Sequence, residues 1–151
     1  MDPVKVGVIG CGNISDVYFQ SGKVFEAFEI TACADLLPER ASAKAAQHGV
    51  PKACSVDDLL ADPDIGIVLN LTIPKAHAEV ALRALEAGKS VYSEKPLAVA
   101  REEGERITAL AKEQGFSWAV RRTRSWARAS RRVASSSTMA GSASRSRRLR
   151  L

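Results

Sequence analysis

Apolar positions along this chain follow two periods that take turns. Val4, Val6, Val8 and Ile9 form a run of period two, which stops at Gly10-Cys11-Gly12. A helical pattern opens at Asn13 and runs to about Glu26. Glu29 to Ala34 predicts a second short strand ending at Asp35. Pro38 to His48 predicts a helix with proline in its first turn and Gly49 just past its end. Pro51 to Cys54 reads as a third strand. Ser55 is placed to cap a brief helix, with Asp58 three residues on in the capping-box position. Gly66 to Leu71 is almost wholly apolar, as a strand covered on both faces should be. A helix from about Lys75 to Ala87 follows and stops at Gly88, with Ala76, Val80, Leu82, Ala84 and Leu85 as its core stripe. Lys89 to Ser93 predicts a fifth strand, Arg101 to Gln114 a last helix, and Gly115 to Val120 the start of a sixth strand. Strand and helix in alternation imply right-handed crossovers, hence a doubly wound parallel sheet with helices on both faces.

The first turn carries the most specific chemistry. Gly10 allows a sharp bend and Gly12 has no Cβ to hold the backbone away from a ligand. The amides that open the next helix are then free to face an anion, with the helix dipole behind them. This arrangement, in a Rossmann-type α/β fold, suits a dinucleotide pyrophosphate. Ser15 stands where a third glycine is usual, and is small enough for the helix to pack closely on the strand. Asp35, at the end of the second strand, suits the two hydroxyls of an adenosine ribose and would repel a 2′-phosphate, which favours NAD. Arg40, five residues on, keeps NADP open. The plain alternatives are a βα turn without ligand and, for Asp35, a helix cap.

Charge divides the chain. Residues 1–120 hold 12 Lys and Arg against 17 Asp and Glu, a net of −5, whereas residues 121–151 hold 10 Arg with no Lys and no acidic residue, a net of +10. A chain of 151 residues accommodates one domain with a real core, and we assign it to residues 1–120. No apolar run reaches the length of a membrane span, and the start Met1-Asp2-Pro3-Val4-Lys5 is unlike a secretory signal. Cys11, Cys33 and Cys54 lack metal-ligand spacing and read as structural thiols of a reducing cytoplasm, so no metal is expected. His48, beside Gly49, reads as an exposed helix-end residue.

Four segments in order, Gly10-Cys11-Gly12-Asn13-Ile14-Ser15, the strand ending at Asp35, Leu71-Thr72-Ile73-Pro74-Lys75-Ala76-His77, and Ala87-Gly88-Lys89-Ser90-Val91-Tyr92-Ser93-Glu94-Lys95-Pro96-Leu97, closely resemble the N-terminal domain of the Gfo/Idh/MocA oxidoreductases, over about residues 4–120. The family includes glucose–fructose oxidoreductase and inositol dehydrogenase. The resemblance implies an NAD-dependent sugar or polyol dehydrogenase, with a small-molecule substrate. It implies that Gly10, Cys11, Gly12, Asn13 and Ile14 seat the pyrophosphate and Asp35 the ribose. Thr72 and Pro74 would wall the cleft, and Glu94 would contact the nicotinamide ribose. Lys95 would act in catalysis by reaching the substrate hydroxyl. An ammonium there would stabilise alkoxide character as hydride leaves. His77, in the first turn of its helix, joins the cofactor-side set through hydrogen bonds to nearby backbone.

The family pattern stops near residue 120. Residues 121–151 contain 10 Arg, 8 Ser and 5 Ala among 31 and show neither period, a composition expected to be disordered. One reading makes this tail a basic arm for nucleic acid, attached to a non-catalytic dinucleotide-binding module, with Trp118 and Trp126 as the aromatics available for stacking. The favoured reading is a frameshift. Codons for Arg121 to Ser130 can be chosen so that the neighbouring frame spells Pro-Asp-Thr-Phe-Leu-Gly-Ala-Gly-Ile, a family-like continuation. On that reading the substrate domain is missing, turnover is expected to be slight, and no oligomeric state follows because relatives commonly associate through that domain.

Overall fold

A computed structural model describes residues 2–121 of the chain. Expectations for residues 122–151, the disordered arm and the shifted frame, lie outside the described residues. Eleven elements alternate: β1 (Val4–Ile9), α1 (Ser15–Gly22), β2 (Phe28–Ala34), α2 (Pro38–His48), β3 (Lys52–Cys54), α3 (Val56–Ala61), β4 (Ile67–Asn70), α4 (Pro74–Glu86), β5 (Ser90–Ser93), α5 (Arg101–Gln114) and β6 (Trp118–Val120). All sheet pairings are parallel, in the order β3-β2-β1-β4-β5-β6. Succession turns back at β1, which lies between β2 and β4. Ligands of open α/β sheets bind at the carboxyl ends of such neighbours.

Two apolar layers hold the helices against the sheet. One face carries Ile9, Ala34, Val68 and Val91, covered by Leu59 of α3, Ala81 and Leu85 of α4, and Ile107 of α5. The opposite face carries Val6, Val8, Cys33 and Leu69, covered by Phe19 of α1 and by Ala41 and Ala45 of α2. A bulge adjusts the alternation in β2: Val6 pairs with Ile30 and Gly7 with Ala32, so Thr31 is an extra residue. Ile30 and Ala32 therefore point to opposite layers despite their even spacing. Among the described residues no helix is long and apolar enough to cross a membrane, and no group of three or more His, Cys, Asp or Glu side chains is arranged to hold a metal ion.

Three differences from the sequence reading have local causes. Helix α1 runs from Ser15 to Gly22, not Asn13 to Glu26. Ser15 turns both its amide and its hydroxyl back to the Gly12 carbonyl, at 3.1 and 2.6 Å, so residues 12–15 form a turn before the helix begins. At the other end Val24 and Phe25 bury little and their amides fold back on Ser21. His48 is not an exposed end residue. It is buried, its ring stacks on Phe19 at 4.9 Å, and its Nε2 lies 2.7 Å from Asp16. Lys89 is the third: expected as the first residue of the fifth strand, it precedes β5 and is buried at the amino end of the sheet. Its ammonium donates there to the carbonyls of Asp62 and Ile65 at 2.6 and 2.9 Å. Burial holds that ammonium below the usual lysine range.

Candidate functional site

Register alone brings the sequence-predicted residues together. Ile9 pairs with Ala34 on one side and with Asn70 on the other, and Asn70 pairs with Ser93. Gly10, Asp35, Leu71 and Glu94 therefore stand one step past the ends of four adjacent strands. Backbone bonds continue the ladder through that row: Gly10 N–H to Ala34, Leu71 N–H to Ile9, Glu94 N–H to Asn70 and Arg121 N–H to Ser93, all at 2.8–3.0 Å.

Gly10 has φ of +102°, and a Cβ there would lie 2.6–2.8 Å from the backbone of Leu71 and Thr72. A Cβ on Gly12 would meet nothing within 4 Å. The first glycine lets β1 turn against β4, and the second borders open space. No side chain caps α1, and of the amides at its opening that of Ser15 is taken by the Gly12 carbonyl. Asn13 and Ile14 are exposed there, while Ser15 is fully buried against the sheet. A cavity of about 460 Å³ opens beside the turn, lined by Cys11, Gly12, Asn13, Arg40, Ala43 and Lys44. Lys44 also bonds Asp16 at 2.5 Å, and with His48 it holds that carboxyl below the usual range.

Asp35, half-buried at the end of β2, braces the turn. Its two oxygens accept from the backbone amides of Cys11 at 2.7 Å and Leu37 at 3.0 Å. The Cys11 thiol is buried against Ala34 and is not part of the open surface.

The other half of the row is organised by Asn70, which sequence reasoning passed over. It is fully buried, donates to the His77 carbonyl at 2.9 Å, and accepts from the Thr72 hydroxyl at 2.7 Å. A polar residue in an otherwise apolar buried strand was the available signal. Thr72 is half-buried and Pro74 is exposed at the start of α4. His77 lies beneath them, 1% exposed, with Nε2 2.9 Å from the Thr72 oxygen and Nδ1 2.5 Å from the Pro96 oxygen.

Glu94 is buried and heavily bonded. One oxygen accepts from Tyr18 at 2.5 Å and Arg121 at 3.0 Å, the other from the Lys95 amide at 3.3 Å. Burial pushes its carboxyl upward, but these donors outweigh it and the group lies below the usual carboxylate range. Nothing local in the sequence couples Tyr18 to a residue 76 positions away. Lys95 is exposed, and its side chain makes no hydrogen bond within the described residues. The Lys95-Pro96 peptide is cis.

The Glu94 bonds carry a pH dependence whose sign is fixed. A carboxyl lowered on folding contributes stability that is complete above its unfolded value and is lost as pH falls through the folded one. Replacing Tyr18 by Phe removes one donor while leaving the burial, so the Glu94 carboxyl rises. Thermal unfolding followed from about pH 7 down to about pH 3 is expected to show acid destabilisation starting at higher pH in Tyr18→Phe, with a cost of about 1–3 kcal/mol near neutrality. Superimposable pH profiles would show that the contact contributes nothing.

Residues 4–121 match the family described as oxidoreductases with an NAD-binding Rossmann fold. The inositol 2-dehydrogenase of Ralstonia nicotianae is 33% identical over 115 residues, which cover 74% of this chain and 34% of that enzyme. A 3-ketoreductase from Actinomadura kijaniata, solved with NADP and TDP-benzene, superposes with a TM-score of 0.70 at 35% identity, covering 76% of this chain and 35% of its own. An NAD-binding protein from Listeria innocua gives a TM-score of 0.75 at 30% identity, covering 83% of this chain and 37% of its own. The chain thus spans about a third of the length of the curated relatives it matches. With the strand order, the glycine turn and the match over residues 4–121 in agreement, the chain belongs to the Gfo/Idh/MocA oxidoreductase family and carries its NAD-binding Rossmann domain.

Proposed function

We propose that this chain binds NAD along the row Gly10, Asp35, Thr72 and Glu94, and that it is the cofactor domain of a sugar or polyol dehydrogenase. The observation that carries the reading is the juxtaposition, on four adjacent strand ends, of an uncapped helix start, a carboxylate and an exposed lysine. The residues present fit a dinucleotide: the open space at Gly12 leaves room for phosphates, and the amides of Asn13 and Ile14 would face them. Asp35 would accept from the adenosine ribose, and Thr72 and Pro74 would wall the cleft. Glu94 would stand beside the nicotinamide ribose. Nicotinamide, when bound, supplies or accepts a hydride. Lys95 would hold its ammonium near the substrate oxygen, where it stabilises negative charge and shares the hydroxyl proton. A hydroxyl-bearing carbon on a sugar or polyol is the substrate class suggested by the inositol dehydrogenase relatives. The free thiols of Cys11, Cys33 and Cys54 suit a reducing cytoplasm.

Calorimetric titration of the 151-residue chain tests the binding half. NADH is expected to bind in the micromolar range, and no heat or fluorescence change with millimolar NADH would overturn the reading. A panel of polyols and sugars, assayed with NAD, is expected to show little or no turnover from these 151 residues, and robust dehydrogenase activity would overturn that expectation.

A second reading replaces NAD by NADP. Arg40 and Lys44 both line the cavity beside the glycine turn, where cations could hold a 2′-phosphate. The 3-ketoreductase relative was solved with NADP. Direct comparison of NADH with NADPH separates the two.

A further inference from the structure

We infer that His77 is a positioning residue: it ties the loop carrying Lys95 to the loop carrying Thr72, and so sets the nicotinamide end of the cleft. The inference rests on the dinucleotide reading above. Its ground is the connectivity around residues 95–99. Glu94 is fixed by its amide bond to Asn70, and Ala100 by the Glu103 carboxylate that accepts from its amide at 3.3 Å. Between them, among the described residues, the sole hydrogen bond to another element is that of the His77 ring to the Pro96 carbonyl. Leu97 and Ala98 pack on the core edge, which resists lifting of the segment but does not direct its polar groups.

The second ring nitrogen lies 2.9 Å from the Thr72 carbonyl, a contact that is a hydrogen bond alongside the Pro96 one only when both ring nitrogens carry hydrogen. Independently of that, Asn70 donates to the His77 carbonyl and accepts from the Thr72 hydroxyl, which joins His77 to the Thr72 loop. His77 is thus anchored by its own helix, by β4 and by two loops. A ring with 1% exposure cannot itself touch a bound molecule in the cleft. Its effect passes through Pro96 to the adjacent Lys95, whose long side chain has no hydrogen bond within the described residues to hold it. The adenosine end, built from Gly12, Asp35 and the α2 side, shares none of these bonds.

That separation supplies a test. NADH reaches both ends of the cleft, whereas ADP-ribose lacks the nicotinamide. In His77→Phe, which keeps a ring but no hydrogen bonds, NADH affinity is expected to fall roughly tenfold, the equivalent of about one hydrogen-bonded contact. ADP-ribose affinity should stay within about twofold, because its contacts lie on the other half. His77→Gln keeps one amide donor and is expected to recover part of the loss. If the phenylalanine variant fails to fold, the same ratio measured in His77→Gln carries the test. Equal losses for the two ligands, or no loss for either, would overturn the positioning role. Failure of the unsubstituted chain to bind both ligands is a different result, since it overturns the dinucleotide reading and the positioning role with it.

Discussion

Gly10→Ala is expected to destabilise the domain by about 2–5 kcal/mol, a large share of the stability of any single domain. Two terms add. At φ +102° a Cβ is strained wherever it points, which costs roughly 1–2 kcal/mol. At this position it would also lie 2.6 Å from the Leu71 carbonyl carbon and 2.8 Å from the Thr72 nitrogen. Backbone on an adjacent strand end cannot rotate away, so the β1 and β4 turns must separate, with an overpacking cost of about 1–3 kcal/mol. Gly49→Ala isolates the first term, because Gly49 has φ +73° and open surroundings. Gly12→Ala should do the reverse: with nothing near its Cβ it should change stability by less than about 0.5 kcal/mol, yet weaken NADH binding by filling space the phosphates need. Denaturant unfolding and NADH titration of the three variants read both quantities. A Gly10→Ala chain as stable as Gly49→Ala would remove the close-approach argument, and unchanged binding in Gly12→Ala would remove the phosphate path.

The reach of the sequence differs between the two halves of the site. Residues whose work is local were readable from their neighbours: Gly10 at a strand end, Pro38 and Gly49 at the ends of α2, and Ser55, whose hydroxyl accepts from the Asp58 amide at 3.0 Å. That the sheet is parallel also follows from alternation and the handedness of crossovers, whereas its strand order does not. Residues whose work is long-range were not readable. Tyr18 meets Glu94, and Lys89 meets Asp62 and Ile65, only after the sheet has assembled. His48 gave the wrong expectation because its position beside Gly49 suggested solvent, whereas α1 packs over it and supplies Asp16 and Phe19. Asp35 falls between these cases. Its place at a strand end was legible, but its bond to the Cys11 amide, 24 residues back, joins the carboxylate to the turn it was expected merely to accompany.

That bond gives Asp35 two tasks, and Asp35→Ala should expose both. Losing the carboxylate leaves the Cys11 and Leu37 amides without their acceptor, at a cost of about 1–3 kcal/mol. The glycine turn then loses its brace, so any ligand of the turn is expected to bind less well. The two dinucleotides should nevertheless separate. NADH loses the ribose acceptor in addition, and its affinity is expected to fall at least roughly tenfold, the size of one charge-assisted hydrogen bond. NADPH never had that bond, because a carboxylate repels its 2′-phosphate, and it gains from the repulsion's removal with Arg40 and Lys44 still lining the cavity. The ratio of NADH to NADPH affinity should therefore drop, because NADPH loses less than NADH does, and NADPH binding to the variant should weaken steeply with added salt. Parallel losses of both dinucleotides at every salt concentration would mean that Asp35 serves only the turn, and that the choice of cofactor lies elsewhere in the cleft.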